Sequence, residues 1–336
     1  MVQPYVNGGE NPAVKYWEGQ FDTLSKVLTG FMDFVPVLER ICRCWRHMVI
    51  SYRTAMTPLL GPMADMLAKG FQASREGCFL WATGAILREF SEDRDQVDAN
   101  ITENIYKFFV SQATTFLQVM SSVQPKEQPD LVEDFFRLLV DALCYYPARL
   151  ILSGEMLTHI FDAAIYSLLL EQRDPLVITL HFLLDLLSYA GDNPATSVHT
   201  LAPDVAVSLR STVRTLITNR GEQLVKRIMA GMMLTFPKDC FADGSSVLLD
   251  LFRQFPEQTT EWVDHTIRLL PPGTVSPAEA ERLMTKIKSR LQGGDPSNIR
   301  QVRALLQDFT NNYRRRNVAP RDGLGQLSGE RFRFPG

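Results

Sequence analysis

One short run holds most of the residues in this chain that could do chemistry. In VLERICRCWRHMVISYR, at 37–53, stand Arg40, Arg43, Arg46, His47 and Arg53. Residues three or four apart share one side of a helix. At that period Val37, Ile41, Trp45, Met48 and Tyr52 fall on an apolar face, and the arginines with His47 fall on the opposite arc. Only Glu39 is close enough in sequence to pair with them. A guanidinium is a planar, permanently charged fork that binds carboxylates and phosphates through two N–H groups at once. The chemistry expected of such a comb is recognition of an acidic or phosphorylated ligand. The competing reading is an ordinary exposed face whose arginines pair with acids from neighbouring helices. Spacing alone leaves both open.

Catalytic chemistry finds no comparable constellation. His47, His159, His181, His199 and His265 are scattered, with no two inside five residues and no pair in a zinc-binding motif. Neither a phosphate-cradling glycine loop nor a nucleophile elbow is present. His181, in the apolar run LHFLLDLL, is expected to be packed or hydrogen-bonded in a structural role. Glu92, Asp93 and Asp95 read as a solvated turn. Cys42 and Cys44 lie about 200° apart around a helix, so they suit core filling better than a shared metal. No catalytic residue, cofactor or metal is expected, and the chain is not expected to be an enzyme.

Composition agrees with a folded binding protein. The 336 residues are 45% hydrophobic and 22% charged, with a net charge of −3. That balance disfavours general disorder and indiscriminate binding to nucleic acid. Positive charge is nevertheless concentrated locally, as in Arg314-Arg315-Arg316. At a helix end such a run is explained by its favourable interaction with the helix dipole. Five scattered cysteines point to a reducing, intracellular compartment. Apolar runs such as 228–236 are far shorter than the ~20 residues of a membrane span.

The comb needs a scaffold, and the rest of the chain predicts one made of helices. Periodic segments are expected at 12–28, 37–53, 58–71, 77–90, 101–120, 131–146, 155–170, 175–190, 205–218, 222–236, 245–255, 259–270, 278–291 and 298–316. Turn-forming residues separate them, including Gly191 to Pro203, Pro271-Pro272-Gly273 and Gly293-Gly294-Asp295-Pro296. Nothing demands a β-strand. The helices form about seven pairs at a spacing of ~40–47 residues, the HEAT/armadillo period. Several, such as 177–190, are apolar nearly all round, as helices sandwiched between repeats must be. The expected fold is an all-α solenoid over 13–316, with a leading loop at 1–12 and a charged tail at 317–336. The first helix lacks a polar cap, so the solenoid is expected to be the C-terminal portion of a longer one.

Three stretches together resemble the transportin-SR branch of the importin-β karyopherins, including its fungal members. They are PVLERICRCWRHMV at 36–49, EGCFLWATGAILREF at 76–90 and LLQDFTNNYRRRNVAPRDG at 305–323. The resemblance covers essentially the whole chain and rests on the combination. It implies a nuclear import receptor for Arg/Ser-rich splicing and mRNA-binding proteins, moving between cytoplasm and nucleus. An arginine-rich inner helix of such receptors takes the phosphorylated Arg/Ser segment, and here Arg40, Arg43 and Arg46 match it. His47 and Arg53 join them on geometry alone. Nucleoporins are implied as further partners, as is Ran-GTP, which acts mainly on N-terminal repeats that this chain lacks. The resemblance implies no membrane partner and no direct nucleic-acid ligand. The alternative is a HEAT-repeat scaffold that binds RNA or assembles a ribonucleoprotein, with the comb and Arg314–Arg316 on the phosphodiester backbone. A steep dependence of RNA binding on salt would mark that case.

Overall fold

The computed structural model describes residues 11–91, 98–191, 194, 201–292 and 296–318. Five expectations lie wholly or partly outside them: most of the leading loop, the acidic turn at 92–95, much of the 191–203 loop, the 293–295 break and nearly all of the tail. Among the described residues the fold is all-α with no strand, an α-solenoid of stacked helices. None of these helices is long and apolar enough to cross a membrane. The described residues divide into two compact units. One is drawn from Met1–Ala163 and Thr196–Ala206, the other from Ala164–Ala195 and Val207–Gly336.

In the first unit the helices are α1 (Pro12–Gly30), α2 (Val35–Tyr52), α3 (Thr57–Ser74), α4 (Cys78–Glu89), α5 (Ala99–Met120), α6 (Pro129–Tyr145) and the short α7 (Pro147–Ile151). Proline begins many of them because its missing N–H is no loss in a first turn. Pro12, Pro36, Pro58 and Pro129 all serve this way. Two rows result. α2, α4 and α6 pack side by side, and α1, α3 and α5 form the row behind them. Phe116 and Phe135 stack at 3.6 Å to join α5 to α6, and Phe21 lies on Trp45 at 5.3 Å to join α1 to α2.

α4 is the middle of this arrangement and is buried from Cys78 to Leu80, from Ala82 to Leu87 and at Glu89. Small residues let its neighbours close in. A Cβ on Gly70 of α3 would collide with the Phe79 ring, and one on Gly84 would meet the Asp141 carboxylate at 2.6 Å. The Tyr146 hydroxyl donates to the Phe90 carbonyl at 2.8 Å, closing α6 onto the end of α4.

Residues of the second unit lie on α8 (Glu155–Ser167), α9 (Arg173–Ser188), α10 (Pro203–Ala230), α11 (Phe241–Gln254), α12 (Pro256–Arg268), α13 (Pro277–Leu291) and α14 (Pro296–Asn317), the first and third of which begin in the first unit. α11 packs against both α9 and α14. The two helices expected at 205–218 and 222–236 are one: α10 runs unbroken through Gly221 and ends in a π turn at Gly231–Thr235. Gly221 breaks nothing because it is a packing position. The Trp262 ring of α12 occupies the space a side chain would need.

Candidate functional site

α2 buries Leu38, Ile41, Cys42, Trp45, Met48 and Val49, with Trp45 wholly enclosed. This face is rotated from the expected one. Val37 and Tyr52 are only half-buried, and Leu38, Cys42 and Val49 take their places in the core. The opposite arc carries Arg40, Arg43, Arg46 and His47, all exposed. From Arg40 to Arg46 the helix rises about 9 Å. Among the described residues Arg40 and His47 make no hydrogen bond or ion pair.

The other two arginines lean toward α4 and α6. The Arg43 guanidinium lies over the Trp81 ring, 5.6 Å from its centroid. On α6, burial pushes the Asp134 carboxyl up to about 6, against the pull of Trp81. Asp141, one heptad further along α6, is also pushed up to about 6 by burial, against the pull of Arg88 and Arg46. Asp134 and Asp141 rest over Gly77 and Gly84 respectively, also a heptad apart. At the start of these helices Glu76 is raised first by burial and then by the charges of Glu39 and Asp130. The face therefore carries charge of both signs, acidic at the helix starts and arginine-rich further along.

Arg53 stands apart from the comb. It ends α2 with φ 49° and ψ −129°, opens the 3-10 turn Arg53–Met56, and places Nε 3.5 Å from Oε2 of buried Glu89. Trp81, Arg88, Asp134 and Asp141 escaped the sequence reading because they come from other helices. The signal that could have found them is the matched heptad of Gly77/Gly84 and Asp134/Asp141.

The remaining candidates take structural parts. Cys42 is buried and its thiol is pushed far up, first by a hydrogen bond with Cys78 and then by burial, so it fills core. His181 is not packed. It is half-exposed, with Nε2 3.4 Å from Asp243. Arg314 donates to the Phe236 carbonyl at 2.6 Å and lies 5.6 Å over Phe241. Arg316 grips both carboxylate oxygens of Glu279, at 3.1 and 2.6 Å. Two of the three arginines in that second run are thus tied into the fold.

Comparison with known proteins extends the picture. The family model described as the transportin-3/importin-13 fourth TPR domain matches residues 11–119, which hold the whole of α2 and α4. An uncharacterized protein of Schizosaccharomyces pombe is 33% identical over 96% of this chain and 33% of its own length. The Saccharomyces cerevisiae mRNA transport regulator MTR10 is 22% identical over 94% of this chain and 34% of its own. A solved structure of importin-13 in its cytosolic state superposes with a TM-score of 0.71 at 15% identity, covering 90% of this chain and 32% of that one. The chain spans about a third of the length of each of these relatives. Along nine-tenths or more of its length this helical stack is thus similar to a part of the proteins named importin-13 and mRNA transport regulator, and it shares the fold of importin-13.

Proposed function

We propose that this chain is the cargo-binding part of a nuclear import receptor, taking phosphorylated Arg/Ser segments of RNA-binding proteins on the comb of α2. Arg40, Arg43 and Arg46 bind phosphate, His47 lies beside them, and Arg53 stays with Glu89. The observation that carries this is the exposure of four basic side chains on one arc of a helix whose other side is core. Phosphoserine brings nearly two negative charges and three acceptor oxygens. In an extended segment, phosphoserines two residues apart are separated by about 7 Å, within the span of the comb. Relatives named importin-13, transportin and mRNA transport regulator support transport as the setting. The match to a fourth repeat domain supports a place late in a longer receptor. On this reading the chain is not an enzyme, shuttles between cytoplasm and nucleus, meets nucleoporins, and depends on Ran-GTP acting on repeats outside it for release.

The test is charge reversal. Arg40→Glu, Arg43→Glu and Arg46→Glu together should abolish pull-down of a phosphorylated Arg/Ser-rich protein, with helicity by circular dichroism unchanged. Undiminished capture by that variant removes the comb from the binding site.

A further inference from the structure

Charge is unevenly placed in the last two helices. α13 carries Glu279 and Glu281 near its start, and beyond them Arg282, Lys286, Lys288 and Arg290 with no further carboxylate. The helix dipole accounts for Lys288 and Arg290, which stand in the last turn. Its effect does not extend back to Arg282 and Lys286. Glu279, Arg282, Lys286 and Arg290 share one side of the helix, at i, i+3, i+7 and i+11. That side borders α14, because Glu279 takes Arg316 of α14 through both carboxylate oxygens. Leu283, Met284 and Ile287 form the buried side.

The seam between α13 and α14 is therefore basic and open. Arg282, Lys286 and Arg290 are exposed, as is Arg315 of α14, and among the described residues none of the four makes a hydrogen bond or ion pair. Other cations of α14 are spent inside the fold. Arg303 donates to the Ser246 hydroxyl of α11 at 3.0 Å, and Arg314 to the Phe236 carbonyl. Asp308 is the sole carboxylate of α14 and is exposed, so free cations outnumber it along the seam.

We propose that this seam binds an acidic segment of a partner protein, independently of anything bound by α2. Four residues of helix rise about 6 Å, so Arg282, Lys286 and Arg290 present cations at about that interval. Alternate side chains of an extended chain recur every 7 Å or so. A segment with Asp or Glu at alternate positions can thus lie along α13 with one carboxylate for each cation. Arg315, next to the Arg316 that Glu279 holds, adds charge at the Arg282 end. A single-stranded nucleic acid fits less well. Such strands are held by aromatic stacking as well as by charge, and the aromatic residues of these two helices, Phe309 and Tyr313, are buried.

The experiment titrates a fluorescent twelve-residue peptide of alternating Glu and Gly with the full chain, by anisotropy at low salt, where exposed charges are least screened. Arg282→Glu, Lys286→Glu and Arg290→Glu together should weaken binding by about ten-fold or more, and Arg40→Glu, Arg43→Glu and Arg46→Glu together by less than about two-fold. Arg282→Gln, Lys286→Gln and Arg290→Gln, which remove charge but keep good helix formers, should fall between and guard against misfolding of the reversed variant. Unchanged affinity in the reversed α13 variant overturns the proposal. So does a loss confined to the α2 variant, or a peptide that does not bind the unmodified chain. A twelve-nucleotide oligouridine that binds more tightly than the peptide, and is weakened by the same α13 changes, would make the seam a nucleic-acid site and overturn it as well.

Discussion

Nε of Arg53 lies 3.5 Å from Oε2 of Glu89, across the turn that ends α2. This pairing holds the last arginine of the run beside a buried carboxylate and gives that carboxylate a cation. Arg53 holds φ 49° with ψ −129°, a conformation natural only to glycine. Replacing it with glycine relieves strain of about 1–3 kcal/mol and loses a half-exposed ion pair of at most about 1 kcal/mol. Arg88, with Nε 3.8 Å from Glu89, remains to accompany the carboxylate.

Arg53→Gly is therefore expected to leave stability unchanged or raised by about 1 kcal/mol, and to keep phosphopeptide affinity within two-fold. Urea denaturation and a binding titration on the same preparation check both. A ten-fold loss of affinity would return Arg53 to the binding site.

The acids behind the comb set a pH dependence. Asp141 is raised from 3.8 to about 6. Between those values the folded protein binds a proton that the unfolded chain does not, so stability is greatest at the acid side and falls as pH rises through that window. Asp134 adds a loss of the same sign. Each amounts to at most about 3 kcal/mol. Asp141→Asn should flatten the fall between pH 4 and 6 and stabilise the protein by roughly 1–2 kcal/mol at pH 7.5. Denaturation midpoints at pH 4.5 and 7.5 for the two proteins measure this, and superimposable pH profiles would contradict it.

Gly70 tests the packing that holds the comb in place. An alanine there gains about 1 kcal/mol of helix propensity but drives its methyl into the fully buried Phe79 ring. Overpacking a rigid core ring costs about 1–3 kcal/mol, so Gly70→Ala should be net destabilising by up to about 2 kcal/mol. A lowered denaturation midpoint with an unchanged slope is the expected result. A variant more stable than the parent would mean that α3 and α4 are less tightly packed than described.

The helices and the comb were legible in the sequence for a local reason. Arg40, Arg43, Arg46 and His47 sit on one element, and the 3.6-residue period places them without reference to anything else. The phase of the buried face was harder. Leu38, Cys42 and Val49 compete with Val37 and Tyr52, and only the position of α1 and α4 decides between them. Gly221 misled for the opposite reason. In sequence it reads as a break, but Trp262, forty-one residues away, makes it the one residue α10 can use there. Trp81, Asp134 and Asp141 become part of the site only when α4 and α6 are laid beside α2. Their role is tertiary.

The central claim is that the comb of α2 binds phosphate. The most direct measurement is the affinity of one Arg/Ser peptide, phosphorylated and unphosphorylated, for the chain and for its Arg40→Ala, Arg43→Ala, Arg46→Ala variant. A hydrogen bond to a charged group contributes about 1.5–3 kcal/mol. The unmodified chain should therefore prefer the phosphorylated peptide by at least about ten-fold, and the triple variant should lose about a hundred-fold or more on that form. Equal binding of the two peptide forms, or a triple variant that binds as the parent does, would contradict the account.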